Sequence, residues 1–170
     1  MMYTSTTKRL LATTVVAVLL PGVVGSAYLV PDVAHAAEVQ AVACKVTAVL
    51  VQKDGDGTIP ADLKFLEEQL RDDSFAAFKG FRLLETKPLR LALDKPGLAA
   101  FKSGFQLKLS LLGEANSKLK LHANLLAPGR DAALVDTDYA IDDNGLLLVG
   151  GVRHLEGKIF FAIQCGKQPS

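Results

Sequence analysis

Between Gly104 and Leu125 the chain alternates with a period of two. Phe105, Leu107, Leu109 and Leu111 are separated by Gln106, Lys108 and Ser110, and Leu119, Leu121, Ala123 and Leu125 by Lys120, His122 and Asn124. In a strand that period sends one set of side chains to each face, so the stretch buries its leucines only as a pair of strands. Residues 113–117 read as the joining loop, a hairpin that sets His122 across from Lys108. In the next strand Val135, Thr137 and Tyr139 share the inward parity, which leaves Asp136 and Asp138 outward beside Lys120.

The same logic extends in both directions. Residues 133–140, 146–152 and 158–165 are strand-like and are separated by Pro128-Gly129, Asp143-Asn144-Gly145 and Glu156-Gly157, all with turn chemistry. Residues 81–86 and 89–94 read as two strands flanking Lys87-Pro88, because a proline belongs at a strand edge, bend or bulge. Residues 44–52 are apolar at both parities, which predicts a strand covered on both faces.

Between these strands, Ile59, Leu63, Leu66 and Leu70 recur at helical spacing, which predicts a helix of about three turns with Thr58 as its cap. A second short helical segment would start at Asp73 or Ser74, carry Phe75 and Phe78, and leave through Gly80. The expected fold is therefore α+β, with one or two N-terminal helices on a mostly antiparallel meander of seven or eight strands.

The apolar content of 49% raises the question of a membrane protein. Part of it lies in residues 10–24, which follow Lys8-Arg9 and precede Ala34-His35-Ala36. A basic start, an apolar stretch and an A-x-A site are the layout of a secretory signal, whereas a membrane span needs about 20 uninterrupted apolar residues. Residues 1–36 are thus expected to be a signal peptide and 37–170 a single exported domain, periplasmic or extracellular and without a transmembrane span. Removing Lys8, Arg9 and Asp32 from 19 basic and 18 acidic side chains leaves 17 of each, so no general attraction to nucleic acid or anionic lipid is expected.

An oxidising compartment gives the two cysteines a role. If the first and last strands pair antiparallel with Cys44 opposite Cys165, Val46 faces Ile163, Ala48 faces Phe161 and Leu50 faces Ile159. The register that allows a disulfide also makes one apolar face. The alternative, a lipid anchor on Cys44 after the small-residue run Ala41-Val42-Ala43, would leave Cys165 without a partner.

The motifs of catalysis are missing. Asp54-Gly55-Asp56-Gly57 opens like a calcium loop, but the twelfth position is Phe65 rather than a carboxylate, so a polar turn is the better reading. His122 and His154 are isolated, short of the three or four close ligands of a zinc site. There is no G-x-S-x-G, no cysteine beside a base and no phosphate-binding glycine loop. No catalytic, cofactor or metal residue is therefore assigned.

Two surfaces are candidates for binding. One is a locally basic face of Arg90, Lys108, Lys118, Lys120 and His122, with Lys102 nearby, too poor in aromatics for nucleic acid. The other is an edge strand around residues 87–94.

Gly57-Thr58-Ile59 with Leu63, Leu66 and Leu70, then Phe78, Phe81-Arg82-Leu83-Leu84, Gly150-Gly151 and Gly157-Lys158-Ile159, follow an order that resembles a group of secreted bacterial α+β proteins. The resemblance implies an exported domain and no activity. The functional expectation is a non-enzymatic domain that binds a protein or a cell-envelope component. The alternatives are a hydrolase or other enzyme with a dispersed site, and a periplasmic carrier of an apolar ligand.

Overall fold

In the computed structural model, which describes residues 39–168, eight strands run antiparallel in chain order. They are β1 (Ala41–Gln52), β2 (Gly80–Ala92), β3 (Gly97–Ala100), β4 (Gln106–Ala115), β5 (Lys118–Leu126), β6 (Ala133–Ile141), β7 (Leu146–His154) and β8 (Gly157–Lys167). Sheet A has the order β2-β1-β8-β7 and sheet B the order β3-β4-β5-β6. A walk around the two sheets therefore meets the strands in sequence order, and β1 closes on β8. The ladder is interrupted between β2 and β3 and between β6 and β7, where tight connections turn the chain from one sheet to the other. The result is an up-and-down barrel flattened into a sandwich.

This corrects the α+β expectation. Strand takes up 60% of the described residues and helical turns 10%. Ile59, Leu63, Leu66 and Leu70 are all buried, as their spacing required, but the backbone is a 3₁₀ segment at Ala61–Leu66 followed by a single α-turn, α1, at Glu67–Leu70. So short a stretch cannot hold itself in an α-helix, and packing on sheet A decides its form. Thr58 is not the cap: Asp56 accepts a hydrogen bond from its N–H at 2.8 Å, and Pro60 precedes the first helical turn without a side-chain cap. A second 3₁₀ turn, Asp73–Phe75, is capped by Asp72 rather than Asp73 or Ser74, with the Ser74 N–H donating at 2.9 Å.

The burial pattern explains β1. Val42, Cys44, Val46 and Ala48 face sheet B in the main core, which Leu107, Leu109, Leu111, Leu119, Leu121 and Leu125 fill from the other side. Val49 and Val51 instead meet Leu63, Leu66, Leu70 and Phe75 on the outer face of sheet A. The strand is covered on both faces because the helical segment caps one of them.

Strand β1 pairs with β8 in the register read from parity, with Cys44 opposite Cys165, Val46 opposite Ile163, Ala48 opposite Phe161 and Leu50 opposite Ile159. The cysteines form a disulfide with Cα atoms 4.1 Å apart. Its sulfur is thereby unavailable for the lipid anchor considered at Cys44.

Residues 81–86 and 89–94 are not two strands. β2 runs through Pro88, which is tolerated because β2 is the edge of sheet A. No helix among the described residues is long and apolar enough to cross a membrane. The signal peptide expected over 1–36 lies outside the described residues.

Candidate functional site

The outer face of sheet B holds four of the five residues expected in a basic face. Lys108 lies on β4, and Lys118, Lys120 and His122 on β5, while Arg90 is on β2, opposite Ala43 on the outer face of sheet A. Lys102 sits in the β3–β4 connection, outside both ladders. The register also differs from the one expected: His122 is opposite Ser110, and Lys108 opposite Asn124. The hairpin turns on two residues, Asn116 and Ser117, at φ of 54° and 61°, and a bulge at Leu112 takes up one more. A shift of two residues leaves the face of each side chain unchanged but changes its neighbours.

Those neighbours make the face mixed in charge. His122 lies opposite Asp138, with Nδ1 2.8 Å from that carboxylate and Nε2 2.9 Å from Asp136. A neutral imidazole has one N–H and an imidazolium two, so only the protonated ring donates to both carboxylates. Lys118 reaches Asp142 at 3.1 Å, an exposed pair that contributes at most about 1 kcal/mol. Asp136 is opposite Asn124 and Lys120 opposite Ala140, so the expected Lys120–aspartate neighbours do not form.

A second surface was not legible in the sequence. The β7–β8 hairpin turns at Leu155 and Glu156, and Leu155 is 70% exposed with φ of 51°. A leucine in the left-handed region costs roughly 1–2 kcal/mol, and a two-residue hairpin ordinarily places glycine there. Beside it opens a groove of about 730 Å³, lined by Phe78 and Leu155 and by the charged Lys53, Asp54, Arg153, Glu156 and Lys158. Lys158 Nζ stands 5.8 Å from the centre of the Phe78 ring.

The walls of this groove are held from three directions. The Lys79 N–H donates to the Gln52 carbonyl and the Gly57 N–H to the Lys79 carbonyl, each at 2.9 Å, which stitches the loop after β1 to the segment before β2. In that loop the Thr58 N–H and side chain hold the Asp56 carboxyl below its ordinary range. At the hairpin, a Cβ on Gly157 would come within 2.1 Å of the Val51 carbonyl oxygen, so only glycine brings these backbones together.

For catalysis the inventory is short. Both cysteines are consumed in the disulfide, and no group of three or more His, Cys, Asp or Glu among the described residues is arranged to hold a metal ion. Around His122 the reason is geometric, since its two nitrogens address different carboxylates instead of converging with them on one point. No family model, curated protein or solved structure matches the chain.

Proposed function

We propose that the chain is exported, loses residues 1–36, and acts as a non-enzymatic domain that binds a protein partner through the groove beside the β7–β8 hairpin. The observation that carries this reading is Leu155, an exposed leucine in a backbone conformation that opposes it, next to the exposed part of Phe78 and within a ring of charges. It adds nothing to the core and costs local strain, the combination expected where binding rather than folding sets the residue. An apolar centre with a charged rim is the anatomy of a protein interface. Three cations against two carboxylates favour a partner segment with an apolar side chain flanked by acidic ones. Export is supported by the disulfide, which needs an oxidising compartment.

The test is comparative capture. Mature protein and its Leu155→Gly and Phe78→Ala variants are immobilised and exposed to the native envelope fraction or medium, and bound proteins are identified by mass spectrometry. A partner held by the unaltered protein and lost by both variants is expected. Equal recovery on all three surfaces would refute the groove. Export is checked separately by the N-terminal sequence of the secreted form, which should begin just after Ala36.

A further inference from the structure

The four strands that end the two sheets, β2, β7, β3 and β6, are protected unequally. A sheet edge carries N–H and C=O groups without partners, and proteins shield it with short strands, prolines, lysines or bulges. Strand β3 is only four residues long. Strand β2 has Lys87-Pro88 and a bulge beside Ala48 and Val49, and β7 has a bulge between Gly150 and Val152. Strand β6 has nine residues with neither proline nor lysine, and its bulge, at Leu134, lies near its start. Residues 135–141 therefore run as a regular strand that pairs with β5 on one side, and no other backbone hydrogen bond reaches them among the described residues. On the other side every second residue turns its N–H and C=O toward the open edge, because ladder groups alternate in direction. It is β6, rather than the stretch 87–94, that offers the unprotected edge.

The side chains along this edge are only partly covered. Thr137 is exposed although Ala123, opposite it, is fully buried, and Val135 and Tyr139 are half-buried. The other face of the strand carries Asp136 and Asp138. His122 takes one oxygen of each, at 2.9 and 2.8 Å, which leaves the second oxygen of each without a partner among the described residues. Lys108 and Lys120 stand farther from the edge, on β4 and β5, and Lys118 is paired with Asp142. The charges nearest the edge are thus two carboxylates.

We infer that β6 accepts an added strand from a protein partner, an extended segment that alternates apolar or β-branched residues with lysine or arginine. The site is the open edge itself: main-chain hydrogen bonds to residues 135–141 would supply the binding, and side-chain pairs would select the sequence. Side chains directly opposed across an antiparallel pair stand about 4.5–5.5 Å apart, so the partner's cations meet Asp136 and Asp138 while its apolar residues cover Val135, Thr137 and Tyr139. The same carboxylates disfavour a second copy of this chain. A twofold β6–β6 pairing centred on Thr137 sets Asp136 against Asp138 of the copy, and like charges directly opposed are destabilising. The edge shares no residue with the hairpin groove, and neither site depends on the other.

A capped peptide as long as residues 135–141 that alternates valine and lysine is the probe, with a counterpart that has glutamate for lysine. Two-dimensional amide NMR follows both on the mature, disulfide-intact protein, and hydrogen exchange is read residue by residue. With the lysine peptide, saturable shifts centred on β6 are expected, together with slowed exchange at every second amide of residues 135–141. That period of two separates an added strand from lysines resting on carboxylates, because only backbone pairing reproduces the alternation of a ladder. The glutamate peptide should leave β6 unshifted. Asp136→Asn with Asp138→Asn keeps an acceptor for His122, so it should fold, and it should weaken the lysine peptide about fivefold. The inference is overturned if the lysine peptide gives no saturable shift, or shifts without the alternating protection. Equal binding of the glutamate peptide at β6, unchanged affinity of the double variant, or a concentration-dependent dimer joined through β6 would overturn it as well.

Discussion

Breaking the Cys44–Cys165 bridge is the perturbation whose size follows most directly from the structure. The bond joins residues 121 apart in sequence, which encloses nearly the whole described domain. In the chain-entropy account a loop of this length lowers the entropy of the unfolded state enough to contribute about 5 kcal/mol. Total stability for a domain is about 5–15 kcal/mol, so the loss would take a large part of it. With an unfolding entropy of about 2.1 cal/mol/K for each of about 130 residues, 5 kcal/mol corresponds to a fall in Tm of about 18 °C. Two forms separate the cross-link from its packing. Reduced protein loses only the bond, whereas Cys44→Ala with Cys165→Ala also removes buried sulfurs, 4% and 0% exposed, at an added cost on the order of 1 kcal/mol. The chain has no Trp, so urea unfolding is followed by circular dichroism. The urea m-value should rise in both forms, because an unfolded chain freed from the bridge exposes more surface. A loss below about 2 kcal/mol with an unchanged m-value would refute the loop-entropy reasoning.

Other outcomes test the packing, the hairpin and the ionic contacts. Phe161→Ala empties the place where Phe101 and Phe105 meet and should lower stability by about 3–5 kcal/mol in the same urea assay. Gly157→Ala sets a Cβ against the Val51 carbonyl and should cost at least about 1 kcal/mol, visible as a lower urea midpoint. Leu155→Gly relieves a left-handed leucine, so calorimetry should show stability unchanged or raised by up to about 1 kcal/mol while partner capture falls; a clear loss of stability would mean the leucine serves the fold. In acid, Glu85 is held below its ordinary value of 4.5 by Lys87 and then the Lys102 N–H, and Asp72 below 3.8 by Ser74. Depressed carboxylates stabilise the fold above their unfolded values and lose that effect as pH falls through the folded ones, so urea midpoints should hold at neutral pH and decline below about pH 4.5. Glu85→Gln should flatten the first part of that decline.

Much of the fold was legible because alternation reports a face. The inward leucines of β4 and β5, the doubly covered β1 and the β1–β8 register all follow from parity, and a two-residue shift in a hairpin does not disturb it. Parity does not report neighbours. Reading residues 113–117 as a five-residue loop placed Lys108 beside His122, whereas a two-residue turn and a bulge bring Ser110 there. The helical stripe failed for a related reason: the four apolar residues from Ile59 to Leu70 are consistent with 3₁₀ or α geometry over so few turns, and only the sheet beneath selects between them.

What the sequence by itself determined is the inward leucines of β4 and β5, the two-sided burial of β1, the pairing of the two cysteines, and the turns after β5, β6 and β7, but not the division it placed at Lys87-Pro88 or the inward place it gave Thr137. These rest on local period and local turn chemistry, which act over a few residues. The tertiary structure alone decided that the meander breaks into two sheets, that Arg90 lies on a different sheet from Lys108, Lys118, Lys120 and His122, that Leu155 overhangs a groove with Phe78, and that β6 is left as the open edge of sheet B. Each of those depends on where the chain crosses from sheet to sheet and where a bulge bends an edge, and such choices are settled by packing between segments far apart in sequence.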